Sequence, residues 1–382
     1  MFSLEKFYKI LYDNLLSRFP NSEIVEFAPF GTYTNKLTYT NPLTGPVKDN
    51  KWICCYFFDQ EPIYDTTLPI IRNCMTSFLL ETPNRVHIIA NSEKSQIKDN
   101  VIGWKTTIND WYYFFHGFAA LDWYRNYQYV NQESFEKFTK VFICYNHLIS
   151  KYRSYRLHLV SNLIEQDLIK FGQVSLFLQD ELGTWQNTIE DPNIPLDSRA
   201  RVKIFNTLKN ISSPLTIDTD SPSGTLSANV RLEDLTSTLW HIVTETVYFF
   251  PKLHLTEKVF KPIIAQRPFI LVAAVGNLAY LKSYGFKTFD RWIDESYDLE
   301  QDNYIRIEKI TQEIARLCAM SLDQLEQMHE EMKEILKFNY DHFYGEFRTI
   351  ITNEMIDNFD TILQQNNLPN DHLPEVKQRL LK

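Results

Sequence analysis

This sequence has no spacing that would build a metal cage. Its five cysteines, Cys54, Cys55, Cys74, Cys144 and Cys318, are odd in number and form no CxxC, which argues against a disulfide framework and a structural zinc site. The nine histidines make no HxxxH or HExxH pair, and the carboxylates follow no EF-hand pattern. Glycine is scarce at ten residues, and no GxGxxG fingerprint occurs, so a dinucleotide-binding fold of that type is not expected. Internal repeats and low-complexity tracts are missing. No apolar run is long enough to span a bilayer, and the first residues, MFSLEKFYKILYDNLLSRF, carry acids and helical periodicity where a secretory signal has a continuous apolar stretch. A cytoplasmic protein is expected. The formal charge of −9 disfavours non-specific binding to a polyanion such as DNA.

What remains is a chain of 382 residues, long enough for two domains, with 44% hydrophobic residues for a sizeable core. Its 27 Phe and 21 Tyr suit sugar faces, but residues of these types mostly fill cores. The most informative stretch is Glu245 to Asp298, which reads as strand, loop, helix, strand, helix. In it Thr256 stands at an N-cap position, with Glu257 and Lys258 in the first turn that follows. The free N–H groups of a helix start attract an anion, Lys258 adds a full charge, and Glu257 can accept hydroxyl hydrogen bonds. That combination suits a ligand joining phosphate to sugar; the same three residues also suit an ordinary capped surface helix. Pro262 is expected to kink this helix and Arg267-Pro268 to stop it, before a buried strand from Phe269 to Val275 ends at Gly276-Asn277.

The stretches LTEKVFKPIIAQRPFILV and GFKTFDRWIDESYD, with FFDQEP at 57–62 and FFHGFAALDWYR at 114–125, resemble GT-B glycosyltransferases. The resemblance is to glycosyltransferase-like proteins of phages and marine bacteria and, more distantly, to α1,3-fucosyltransferases, which carry a similar Thr-Glu-Lys helix start. It implies an α/β fold with two Rossmann-like domains facing across a cleft and C-terminal helices packing back. The boundaries expected are 1–135 for acceptor binding, 136–345 for the nucleotide-sugar, and 346–382 for a helix and tail returning toward the first domain. Glu245 resembles the carboxylate that ends the matching fucosyltransferase strand, with Val-Thr-Glu-Thr in place of Phe-Glu-Asn.

Other candidates come from position and chemistry. The apolar run Trp52 to Phe58 reads as a strand covered on both faces, and Asp59 and Glu61 follow at its carboxyl end, where open parallel sheets collect ligands. A polar turn closed by Pro62 is the plainer alternative. A helix is expected over Asp110 to Arg125; it holds His116, and Gly117 there suggests close approach by a substrate or a second backbone. Asp122 and Arg125 can pair along its face. A second domain opens at Val141 to Tyr145, and Lys151, Arg153, Arg156 and His158 crowd the next helix start, where cations oppose the dipole. Either phosphate binding or a solvated basic face accounts for them. Helices are expected with stripes Ile307, Ile310, Ile314, Leu317 and, after a capping box at Ser321 to Gln324, Leu325, Met328, Met332, Ile335.

The reading is metal-independent, inverting glycosyl transfer with no cofactor beyond the nucleotide-sugar co-substrate. Arg153, Arg156 and Lys258 would offset diphosphate charge, Thr256 and Glu245 would complete the donor site, and Glu257 would hold ribose or sugar. Glu61, Asp59 and His116 are the candidate bases for an acceptor hydroxyl, with Glu61 favoured because Pro62 limits its backbone. The alternatives are a phage-type DNA glycosyltransferase acting on hydroxymethylated pyrimidines and a non-catalytic sugar- or nucleotide-binding protein.

Overall fold

A computed structural model describes residues 2–15, 114–129, 138–217 and 228–382, together with the backbone of five strands between 23 and 112. The molecule is mixed α/β. It divides into two compact units, the first formed by residues 1–125 with 346–382 and the second by 126–345.

In the first unit a five-stranded sheet has the order β2-β1-β3-β4-β5. The strands are β1 (Glu23–Ala28), β2 (Thr38–Thr40), β3 (Ile53–Phe58), β4 (Val86–Asn91) and β5 (Ile108–Tyr112). All neighbours are parallel except the antiparallel edge strand β2. The apolar run that forms β3 occupies the centre, paired on both sides, as a continuous hydrophobic strand should. The segment expected as one helix from Asp110 instead begins with β5 and turns helical only over Phe115–Trp123. The residues Asn109, Asp110, Trp111 and Tyr112 complete a parallel ladder against β4, and that pairing overrides local helical periodicity.

Helices complete this unit. Ser3 caps the helix Leu4–Ile10 by accepting the Lys6 N–H at 3.2 Å, and a π-helical turn, Leu11–Leu15, continues it. Phe7 packs 4.3 Å from Phe118, ring to ring. The helix Glu346–Gln365 buries Phe347, Ile351, Met355, Phe359 and Ile362, one helical stripe. Gly117 is closely approached, though by side chains of its own unit rather than a substrate or backbone. A Cβ there would stand 2.6 Å from Phe114 Cδ1 and 2.8 Å from Phe347 Cζ. The tail expected after the helix Glu346–Gln365 forms a further helix, Leu373–Leu381, which buries Leu373, Val376 and Leu380.

The second unit is built on a four-stranded parallel sheet of order β11-β10-β6-β7: β6 (Lys140–Cys144), β7 (Gly172–Val174), β10 (Thr238–Thr244) and β11 (Phe269–Val272). A small hairpin, β8 (Gln179–Asp180) and β9 (Gly183–Thr184), lies apart. Every residue of β10 is buried. Beyond Val174 an isolated antiparallel bridge joins Leu176 to Leu215. Around the sheet, the helix Asn303–Cys318 buries Ile307, Ile310, Ile314 and Leu317, and Ser321 and Gln324 form the reciprocal capping box that opens the helix Leu322–Tyr344. In that helix Leu336, beside the half-buried Ile335, is the buried residue of its turn. No helix among the described residues is long and apolar enough to cross a membrane.

Candidate functional site

The strand order fixes where a ligand can collect. From β6 the chain moves to β7 on one side of the sheet, then returns to β10 on the other and continues to β11. The connections therefore part between β6 and β10, and open α/β sheets usually bind their ligands in a crevice at the carboxyl ends of two such strands. Thr244, the last residue of β10, ties the two ends by donating its hydroxyl to Tyr145 O at 2.9 Å.

Just beyond β10 the chain places Glu245 and Thr246, and eleven residues later the loop brings back Thr256, Glu257 and Lys258. Glu245 is fully buried. Its Oε2 accepts the Thr256 hydroxyl at 2.6 Å and the Thr246 N–H at 3.2 Å, while Oε1 accepts the Thr256 N–H at 3.1 Å. The Thr256 hydroxyl also accepts from Lys258 N at 3.4 Å, so it caps the 3-10 turn Glu257–Val259 as its position predicts. Lys258 Nζ donates to Glu257 Oε1 at 3.0 Å, Thr256 Oγ1 at 3.1 Å and Thr246 Oγ1 at 3.4 Å. Its side chain keeps 31% of its exposure against 5% for Glu257, so Lys258 is the group of this cluster that meets solvent.

Burial pushes the Glu245 carboxyl above its ordinary value, against the opposing pull of Lys258 and the Thr256 hydrogen bonds. Both carboxylate oxygens accept hydrogen bonds from this cluster, so Glu245 fixes Thr246 and Thr256 and leaves the part-exposed face of Lys258 to an arriving anion. The turn after Thr256 runs into a helix of only five residues, Phe260–Ile264, which stops soon after Pro262 instead of continuing with a kink. Arg267 N–H donates to Pro262 O at 2.8 Å and closes it.

The basic helix start after β6 is not a solvated basic face. Tyr155 to Leu163 are all buried, including Arg156 and His158. Arg156 donates Nη1 to Leu148 O at 2.9 Å and Nη2 to Thr244 O at 2.9 Å and Glu245 O at 3.4 Å, and its Nε is buried without an acceptor. The guanidinium thus stitches the loop after β6 to the end of β10. Its neighbour Tyr155 gives its hydroxyl to Glu245 O and stacks on Tyr248 with ring centroids 4.3 Å apart. His158 is bound to Glu308 Oε1 at 3.1 Å, within a network that also takes Asn162 and Lys203. Arg153 sits half-buried in the 3-10 turn Lys151–Arg153.

That loop is held rigidly. Asp180 Oδ2 accepts the N–H groups of Ile149 and Ser150 at 2.8 and 2.9 Å, and Oδ1 accepts the Ser150 hydroxyl at 2.7 Å. Lys151 follows with φ of 52°, a left-handed conformation that is strained for a lysine and of a kind that clusters at functional sites. On the neighbouring strand, Gly276 takes φ of 82° after β11, and the helix Asn277–Ser283 has its start occupied by Asp298, whose Oδ2 accepts Leu278 N at 3.2 Å.

The structure therefore brings together Glu245, Thr256, Glu257 and Lys258, with Arg156 bound to the backbone below them. Thr246, Tyr155 and Asp180 complete the arrangement and were not singled out by sequence. Only the place of Thr246, directly after a buried strand, signals it, because a buried Tyr and a loop Asp look like any core or turn residue. Of the candidate bases, His116 is buried in the helix Phe115–Trp123 with its ring 5.5 Å from that of Phe115. Asp59 and Glu61 lie outside the described residues. Asp122 and Arg125 form the expected ion pair. No cluster of three or more His, Cys, Asp or Glu able to hold a metal occurs among the described residues.

No protein-family model matches the sequence, and no curated protein matches it. One solved structure is similar. It is that of T4 phage β-glucosyltransferase, at 9% identity over 82% of this chain and 74% of that one, with a TM-score of 0.37. At that distance neither sequence nor superposition argues for a shared activity.

Proposed function

We propose that the protein is a glycosyltransferase that moves a sugar from a nucleotide-sugar to an acceptor hydroxyl, without a metal and with inversion at the anomeric carbon. The observation that carries the reading is Lys258: one part-exposed ammonium at the carboxyl end of β10, where the connections of β6 and β10 part, fixed by Thr246, Thr256 and Glu257. A fixed cation over a strand end is what a diphosphate leaving group needs, since charge develops on it as the glycosidic bond breaks. The Thr-Glu-Lys resemblance supports the same assignment, and inversion is inferred from that resemblance. Glu257 stands beside the ammonium and would share it with sugar hydroxyls, and Arg153, half-buried in the turn after β6, would add its charge.

Glu245 and Arg156 act here as positioning residues. Glu245 holds Thr256, and through it the turn bearing Lys258; Arg156 holds the two strand ends. The acceptor proton would be taken by Glu61, Asp59 or His116 as the hydroxyl attacks.

The test is a panel of UDP-, GDP-, TDP- and CMP-sugars screened for thermal stabilisation, since a ligand that binds only the folded state raises its apparent stability. Hydrolysis or transfer of the best ligand then separates an enzyme from a binding protein. Lys258→Ala should weaken that ligand by about 1.5–3 kcal/mol in calorimetry, the range for a hydrogen bond to a charged group. A panel without any stabilising ligand, or unchanged affinity in a folded Lys258→Ala variant, overturns the reading.

A further inference from the structure

The loop that follows β6 is gripped by a carboxylate from another part of the second unit. Asp180 closes the first strand of the hairpin β8–β9 and lies 31 and 30 residues beyond Ile149 and Ser150. It accepts both of their N–H groups and the Ser150 hydroxyl, and its Oδ1 also takes the Leu182 N–H at 2.9 Å. Successive backbone N–H groups turned toward one point form a concavity that suits an anion such as phosphate. Here the chain's own carboxylate fills it, so a ligand's phosphate has to be met by side chains. The hairpin is braced in turn: Thr184 forms a reciprocal capping box with Asn187 at the helix Trp185–Glu190, and Thr188 Oγ1 reaches Ser150 Oγ at 3.5 Å.

The grip ends one residue before Lys151, where the backbone takes its left-handed conformation and the 3-10 turn Lys151–Arg153 begins. Arg153 N–H donates to Ser150 O at 3.1 Å, and Ser154 N–H to Lys151 O at 3.1 Å. Ile149 and Ser150 are buried, whereas Lys151, Tyr152 and Arg153 are half-buried, so a fixed base presents three side chains toward solvent. The Tyr152 ring stands 5.1 Å from that of Phe250, edge to face, and Phe250 belongs to the loop that leads from β10 to Thr256. The turn and the loop bearing Lys258 therefore meet where β6 and β10 part. Burial raises the pKa of Asp180, but the hydrogen bonds from Ser150, Ile149 and Leu182 outweigh it and hold the carboxyl below its ordinary value. It stays ionised at neutral pH and keeps all four bonds.

We propose that Asp180 is a positioning residue of the donor site: it sets the turn Lys151–Arg153 so that Arg153, together with Lys258, meets the diphosphate of a nucleotide-sugar. The inference rests on the glycosyltransferase reading and adds to it a residue that touches neither donor nor acceptor. Its physical basis is preorganisation. A long cationic side chain on a loose loop loses freedom when it binds, and a turn already held by its backbone has less to lose. A guanidinium aimed beforehand also pairs its parallel N–H donors with phosphate oxygens more readily than one that has to be ordered.

The test is a double-mutant cycle on the full chain, with inorganic pyrophosphate as the probe, titrated by calorimetry at constant ionic strength. Arg153→Gln and Asp180→Ala should each weaken it about tenfold or more, as for loss of one hydrogen bond to a charged group. The cycle carries the decision, because Arg153→Gln should cost far less affinity in the Asp180→Ala background, where the turn no longer aims the guanidinium. A carboxylate that only stabilises the fold gives losses that add. If Asp180→Ala does not fold, Asp180→Asn takes its place in the cycle, since its amide group cannot accept the Leu182 N–H that Oδ1 accepts. Additive losses, or wild-type affinity in the Asp180 variant, overturn this inference and leave the proposed function standing where Lys258→Ala still weakens pyrophosphate. Wild-type protein that does not bind pyrophosphate overturns the Lys258 assignment and this inference together.

Discussion

Thr256 donates its hydroxyl proton to Glu245 across 2.6 Å, and the same oxygen accepts from Lys258 Nζ at 3.1 Å. One hydroxyl therefore couples a buried carboxyl to a part-exposed ammonium. The coupling makes the geometry of Lys258 depend on the state of Glu245.

Stability should depend on pH through this pair. Burial raises the folded pKa of Glu245 above its ordinary 4.5, so between that value and the folded pKa the native state binds more protons than the unfolded chain. Its contribution is full below the unfolded value and lost as pH rises through the folded one. Glu245→Gln, which cannot ionise, should lose less stability than the wild type between about pH 4.5 and neutrality. Denaturant midpoints of both proteins across that range check it; parallel curves would show that Glu245 does not titrate in this way.

Arg156 is expected to matter first for folding. Replacing it with Met removes the Arg156 donor from the carbonyls of Leu148 and Thr244, while Glu245 O keeps the Tyr155 hydroxyl, at a cost of about 1–3 kcal/mol for an unsatisfied buried group. Urea unfolding should show a lowered midpoint for Arg156→Met. If the midpoint is unchanged while ligand affinity drops, Arg156 contacts the ligand and not the strand ends.

The general base should be found by comparing Asp59→Asn, Glu61→Gln and His116→Asn at saturating donor. The true base loses roughly 100-fold or more in turnover while donor affinity holds, the scale for removal of a proton acceptor. Near-normal turnover in all three places the base on another residue.

If Lys258 offsets the leaving-group charge as proposed, turnover should survive chelation, since a divalent ion fills that role in metal-dependent transferases. Initial rates with and without EDTA, after exhaustive metal removal, check this. A rate abolished by EDTA and restored by Mg²⁺ or Mn²⁺ would show that the diphosphate charge is carried by a metal.

Much of the second unit was legible in the sequence because its signals are short-range. The stripe Ile307, Ile310, Ile314, Leu317, the capping box at Ser321 and the Thr256 cap each rest on residues within a few turns of one another, and each forms as read. Glu257 and Lys258 lie together for the same reason. What sequence could not decide was which charged side chains turn inward. Arg156 in a helix start reads the same whether it meets a phosphate or three carbonyls, because the carbonyls of Thr244 and Glu245 are 88 and 89 residues away. Likewise β5 replaced a helical turn once β4 offered it a ladder. Local hydrogen bonds and periodicity set the elements of this chain; the order of strands β11-β10-β6-β7 alone set where the connections part, the burial of Glu245 and Arg156, and the exposure of Lys258, since desolvation is decided by neighbours distant in sequence.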